Sequence, residues 1–168
     1  ITTTGGFIEG VWTGAVTLTQ AATGVKIEAV DRGVTGTSGS FTVEAGDLHH
    51  ILIQEAPGDG GAEVLDHTMT TDDEWDLYAA GYDAYLNYVG LVTVTWSVSD
   101  LYDPIGALSP TSGISTTLNA TTPGTGQVSA SYSAAISDTT GLIKVTAGSV
   151  DEVVIQEAPG DEDRKSVV

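Results

Sequence analysis

Residues 91–98 read LVTVTWSV, and from Val92 to Val98 apolar side chains alternate strictly with hydroxyl ones. A period of two puts successive side chains on opposite faces of a strand, so this segment has one apolar face and one polar face. An antiparallel sheet with one side buried and one side solvated carries that pattern. The alternation recurs in AVTLTQ (15–20), VKIEAV (25–30), SFTVEA (40–45), HILIQEA (50–56), STTLNA (115–120), QVSASYS (127–133) and GLIKVTAG (141–148). Turn signals separate the runs: Ala56-Pro57-Gly58-Asp59, Asp103-Pro104, Ser109-Pro110-Thr111-Ser112-Gly113 and Thr122-Pro123-Gly124-Thr125-Gly126. Short strands punctuated in this way predict an all-β chain folded as a sandwich or barrel.

One segment admits two readings. In DDEWDLYAAGYDAYLNY (72–88), Trp75, Tyr78, Tyr82 and Tyr85 fall at helical spacing behind an acidic start. As a strand, the same residues put Leu77, Ala79 and Gly81 on one face and Tyr78, Ala80 and Tyr82 on the other. Gly81 in mid-segment weakens the helix by about 1 kcal/mol relative to Ala, which favours the strand.

The chain also repeats itself. TSGSFTVEAGDLHHILIQEAPGD (37–59) aligns without a gap on TTGLIKVTAGSVDEVVIQEAPGD (139–161), and 12 of the 23 positions are identical. The offset is 102 residues, and a weaker match places Thr23-Gly24 on Thr125-Gly126. Residues 47–148 thus make one whole period, 1–46 match the second half of one, and 149–168 match its first fifth. A period of about 100 residues is the size of an antiparallel sandwich of about seven strands.

Composition narrows the function classes. Five Lys and Arg against 23 Asp and Glu leave a formal charge of −18, with no basic cluster to displace counterions from phosphates. With no cysteine there is no disulfide, no thiolate nucleophile and no Cys-ligated metal. No apolar run approaches the ~18 residues of a membrane span, and nothing at Ile1 reads as a signal peptide.

The stretches LYAAGYDAYLNYVGLVTVTWSVSD (77–100), IGALSPTSGISTTLNATTPGTGQVSAS (105–131) and GLIKVTAG (141–148) resemble the bacterial Ig-like domains of invasin and intimin-type surface proteins. In those domains a strand ends in an Asp-Ala-x-Gly-Asn turn. A VTVTW strand follows, then a Gly-x-Leu-Ser-Pro corner, a Thr-rich strand and a Gly-Thr-Gly lead into the next strand. Here the turn is Asp83-Ala84-Tyr85-Leu86-Asn87, with Leu86 where the family often has Gly. The resemblance implies an Ig-like antiparallel β-sandwich in tandem repeat. It makes segment 75–82 a strand and Trp96 its buried core tryptophan. It also implies an extracellular stalk, adhesin or filament at the cell surface, without catalytic residues.

Candidate site residues are few. No zinc spacing joins His49, His50 and His67, no Gly-x-Ser-x-Gly elbow occurs, and Gly58-Asp59-Gly60-Gly61 lacks the Lys-Ser/Thr of a phosphate loop. No cofactor is expected. Calcium is the metal to weigh, since carboxylates at flexible spacing suit a hard cation. Its candidate ligands are Asp59 (with Glu63 and Asp66), Asp72, Asp73, Asp76, Asp100 and Asp103. Tyr78 and Tyr82 are interface candidates, two pleats apart on the outer face of their strand, where they could stack on a glycan or a protein. Val153, in the strand that begins the next period, is another. The expected partners are neighbouring copies or adjacent repeats, assembled head to tail by strand complementation. A host or cell-surface protein or glycan is the alternative, and nucleic acid is not expected.

Overall fold

The computed structural model describes residues 6–100 and 104–150, which contain strands and no helix. Accordingly, no helix among them is long and apolar enough to cross a membrane. Asp103 and Val153 lie outside the described residues, as does nearly all of segment 149–168.

Two small ribbons come first. β1 (Ala22–Val25) pairs antiparallel with β4 (Phe41–Val43), and β2 (Glu28–Asp31) with β3 (Val34–Thr37). Arg32 and Gly33 close the second ribbon with positive φ of 48° and 86°. Both central residues are thus left-handed, as a tight hairpin turn of matching twist requires.

The remaining strands build a sandwich. They are β5 (His50–Gln54), β6 (His67–Thr70), β7 (Glu74–Tyr82), β8 (Tyr88–Leu91), β9 (Val94–Asp100) and β10 (Gly106–Ser109). Then follow β11 (Ser112–Gly113), β12 (Ser115–Ala120), β13 (Gly124–Ser133), β14 (Ile136–Thr139) and β15 (Ile143–Thr146). One sheet runs β10-β12-β7-β5, with β8 added to β7; the other runs β11-β9-β13-β15-β6, with β14 added to β13. Every pairing is antiparallel except that of β15 with β6.

The two sheets close on one core. Ile51, Ile53, Leu77, Ala79, Leu118 and Ala120 from the first sheet share a cluster with Met69, Val94, Trp96, Val128, Ala130, Ile143 and Val145 from the second. The alternation that predicted the strands decides which residues enter it: in β9, Val94 and Trp96 are buried while Thr95 and Ser97 are exposed. Trp96 keeps its one donor satisfied, since Nε1 donates to Gly113 O at 3.1 Å. The corner after β10 contains a cis peptide bond between Ser109 and Pro110.

Segment 72–88 is a strand for most of its length, not a helix. β7 lies between β5 and β12, and both ladders satisfy its backbone. Gly81 is there for close packing, because a Cβ would meet Leu48 Cδ1 at 2.7 Å and Val92 Cγ1 at 2.9 Å. Another expectation fails: AVTLTQ (15–20) alternates but forms no strand. The residues 102 positions further on begin in β12, which is held between β7 and β10. Among the described residues no strand pairs with 15–20, so the segment has the pattern of a strand without a ladder to join. VKIEAV (25–30) is likewise divided, with β1 ending at Val25 and β2 starting at Glu28.

The ribbons restate part of the sandwich. Ala22 faces Val43 as Gly124 faces Val145, and Asp31 faces Val34 as Ser133 faces Ile136. Each member of one pair is 102 positions from its counterpart in the other.

Candidate functional site at the Asp83–Asn87 turn

The turn between β7 and β8 holds two buried polar side chains, Asp83 (3 % exposed) and Asn87 (5 %). Its chain reversal is local chemistry. Asp83 Oδ1 accepts the backbone N–H groups of Tyr85 (2.8 Å) and Asn87 (2.9 Å), and Asp83 N–H donates to Asn87 O at 3.0 Å. A short acceptor side chain that bonds the backbone two residues on is what makes Asp favourable in turns. Leu86 closes the turn with φ of 66°, in the left-handed region that favours glycine.

The outward half of the same two side chains reaches other parts of the chain. Asp83 Oδ2 accepts Gly46 N–H and Asn87 Nδ2, each at 2.8 Å. Asn87 Nδ2 also donates to Thr19 O at 2.7 Å, while its Oδ1 accepts Ala21 N–H at 2.8 Å and Gln20 Nε2 at 3.1 Å. One asparagine therefore satisfies three groups of segment 19–21, and one aspartate fixes Gly46, in the connection between β4 and β5. Both ends of the β1–β4 segment are tied to a single turn of the sandwich.

The electrostatics favour permanence. The Asn87 amide, followed by the backbone N–H groups of Gly46, Asn87 and Tyr85, holds the Asp83 carboxyl far below the ordinary carboxylate range against the opposing effect of burial. Four donors converge on a carboxylate that has no ion-pair partner among the described residues. Charge-assisted bonds of this kind are shorter and stronger than neutral ones. Neither a nucleophile nor an open coordination position is present; the arrangement grips backbone.

The residues singled out from sequence are placed as follows. Tyr78 is half-buried in β7, opposite Gln54 and Ser115. Tyr82 does not stand exposed on an outer face: it is 7 % exposed, stacked on His50 with ring centroids 5.5 Å apart and edge-on to Tyr88 at 5.8 Å. Its hydroxyl accepts Gln54 Nε2 at 2.7 Å. The Tyr88 hydroxyl beside it is pushed above its usual range by burial, then by Tyr82 and Asp59.

The carboxylates weighed for calcium go separate ways. Asp72 Oδ2 accepts Ser149 N–H at 2.7 Å, and Asp76 Oδ1 accepts Thr117 Oγ1 at 2.6 Å. Asp73 Oδ2 accepts Thr70 N–H (2.7 Å) and Oγ1 (2.8 Å); these bonds, backbone first, keep its pKa below the usual value, and the charge of His67 adds to them. Asp66 Oδ1 accepts Leu142 N–H at 2.8 Å, and Asp59 and Glu63 are exposed. Asp100 is the last residue of β9. Among the described residues no three His, Asp or Glu side chains converge as a metal-holding group. His67 stacks on Trp75 at 3.8 Å, well separated in role from the His50–Tyr82 pair.

Sequence reading marked residues 83–87 as a turn but missed Asn87 as the group that reaches segment 19–21. An Asp and an Asn bracketing a turn were the visible signal; their long-range partners, 66 to 68 residues away, left none. Beside this contact, Thr17, Leu18, Thr19, Gln20, Ala22, Val25 and Val43 line a shallow groove of about 330 Å³. No protein-family model matches the chain, and no curated protein sequence matches it.

Proposed function

We propose that this chain is a non-catalytic structural module from a tandem array of Ig-like units at the cell surface, and that the Asp83–Asn87 turn locks each unit to the one before it. The sheet orders support the Ig-like reading. Counting β5, β7, β9, β10, β12, β13 and β15 as successive strands, the first, second, fifth and fourth form one sheet, and the third, sixth and seventh the other, as in Ig domains. Trp96 sits on the third of them and is buried. The tandem reading is supported by the 102-residue sequence match and by the pairings that recur at the same offset. The surface location rests on the resemblance to invasin and intimin-type repeats, together with an acidic charge that discourages lateral association.

The observation that carries the proposal is the set of bonds from Asp83 and Asn87 to Gly46, Thr19, Gln20 and Ala21. A flexible string of beads needs no such joint; a stalk that transmits orientation does. The burial of Tyr82 takes it out of the exposed tyrosine row that was one of two surfaces, with the loops at one end of the sandwich, offered for the glycan-binding alternative.

Since the chain lacks cysteine, spin labels can be placed at Thr35→Cys and Ser129→Cys without background. Double electron–electron resonance should give one narrow distance distribution, broadened by Asn87→Ala. A distribution already broad in the parent chain overturns the rigid-joint reading.

A further inference from the structure

Asp59 is the only Asp or Asn of the sequence that a glycine follows. That pairing has a chemistry of its own. The backbone nitrogen after an aspartate can close a five-membered ring on the side-chain carboxyl, and glycine, with no Cβ, leaves the approach open. The second copy of the motif lacks the pairing: QEAPGD (54–59) runs into Gly60, whereas QEAPGD (156–161) runs into Glu162.

The fold leaves the two reacting groups free. Asp59 and Gly60 are both exposed in the loop that follows β5. Neither the Asp59 carboxylate nor the Gly60 N–H has a hydrogen-bond partner among the described residues. Other aspartates are held: the carboxylates of Asp66, Asp72, Asp73, Asp76 and Asp138 each accept a hydrogen bond.

The base of the same loop has no slack. Glu55 N–H donates to Ala62 O at 3.1 Å and Val64 N–H to Ile53 O at 2.9 Å, which closes the loop on β5. Gly61 lies against Gln54, since an added Cβ would strike Ala56 O and stand 2.7 Å from Gln54 Oε1. Gln54 is buried there, with its amide on the Tyr82 hydroxyl at 2.7 Å.

We propose that Asp59–Gly60 is a self-modification site whose isoaspartyl product releases this loop from β5. The Gly60 nitrogen attacks Asp59 Cγ; the new C–N bond forms, the carboxyl hydroxyl leaves, and it carries off the nitrogen's proton as water. Water then adds to the α carbonyl of the succinimide and breaks its bond to nitrogen. Gly60 is left joined through the Asp59 side chain, and the main chain is longer by one methylene. Water is the only co-reactant. The added length falls in a loop whose ends are fixed and which has no room at Gly61, so it is relieved by parting the Glu55–Ala62 and Val64–Ile53 bonds. Product accumulates with time, and the loop records the age of the chain.

The test is to age the purified chain at physiological temperature in mildly acidic heavy-oxygen water. Peptide mapping should find isoaspartate at residue 59, marked by lost cleavage with an aspartate-specific endoproteinase and by uptake of one heavy oxygen. Gly60→Ala, whose Cβ meets nothing within 4 Å, should lower the yield several-fold. Asp59→Asn should raise it several-fold, with ammonia leaving in place of water. No isoaspartate at residue 59, once a synthetic peptide of residues 53–64 has converted, overturns the site. Equal conversion at Asp161 overturns the part given to Gly60. Hydrogen exchange reads the release: in the isoaspartyl fraction the Glu55 and Val64 amides should lose protection while those of β9 and β13 keep theirs. Unchanged protection at Glu55 and Val64 overturns it.

Discussion

Ser38 and Thr140, 102 positions apart, make the same pair of hydrogen bonds. The Ser38 hydroxyl accepts Ile27 N–H at 2.8 Å and donates to Gly39 O at 2.8 Å; the Thr140 hydroxyl accepts Val128 N–H at 3.0 Å and donates to Gly141 O at 2.9 Å. Their surroundings differ, since Thr140 is buried and Ser38 is exposed. Losing a buried partner leaves Val128 N–H unsatisfied, a cost of about 1–3 kcal/mol, whereas water can replace the Ser38 hydroxyl. Thr140→Val should therefore lower urea stability by about 1–3 kcal/mol, and Ser38→Ala by less than about 0.5 kcal/mol. Equal effects would mean that the face of residues 6–46 is covered in solution as fully as that of the sandwich.

Tyr82→Phe tests whether this tyrosine is structural. The ring would keep its contacts with His50 and Tyr88, but Gln54 Nε2 would lose the hydroxyl that accepts from it. Gln54 is 2 % exposed, so its amide cannot turn to solvent. A loss of about 1–3 kcal/mol is expected in chemical denaturation. No loss would return the hydroxyl to the role of an external contact.

The positive φ of Leu86 predicts an easy gain. Its side chain is 70 % exposed and lies outside the core cluster. A left-handed backbone costs an L-residue about 1–2 kcal/mol, of which the greater unfolded-state freedom of glycine returns part. Leu86→Gly should raise stability by about 0.5–1 kcal/mol, seen as a higher Tm. A lower Tm would show that Leu86 makes a contact in solution.

How legible these features were depended on strand length and on where partners lay. β9, β12 and β13 announced themselves because each has one face in the core and one in water, over enough residues for a period of two to register. β6, β8, β10, β11 and β14 have four residues or fewer, and their pairing comes from neighbours rather than from their own pattern. The run 15–20 erred in the opposite direction, since alternation describes a strand's faces and says nothing about whether a ladder is available. At the site, Asp83 and Asn87 were readable as a turn because that chemistry is local. The grip on Thr19, Gln20 and Ala21 was not, because it joins residues that only the folded chain brings together.

The Asp83 carboxyl makes the joint sensitive to acid. Its folded pKa lies far below the unfolded value of 3.8, chiefly because of the Asn87 amide. The stabilisation is therefore fully present above the unfolded value and is lost as pH falls through the folded one. In Asp83→Asn the Oδ2 position becomes an amide donor facing two other donors, Gly46 N–H and Asn87 Nδ2, if Oδ1 keeps the turn bonds. This variant should be less stable than the parent at neutral pH. It should also lack the parent's steep loss of stability below about pH 4, so the two Tm curves should converge on acidification. Curves that run parallel down to about pH 2 would show that the joint does not depend on the charge of Asp83.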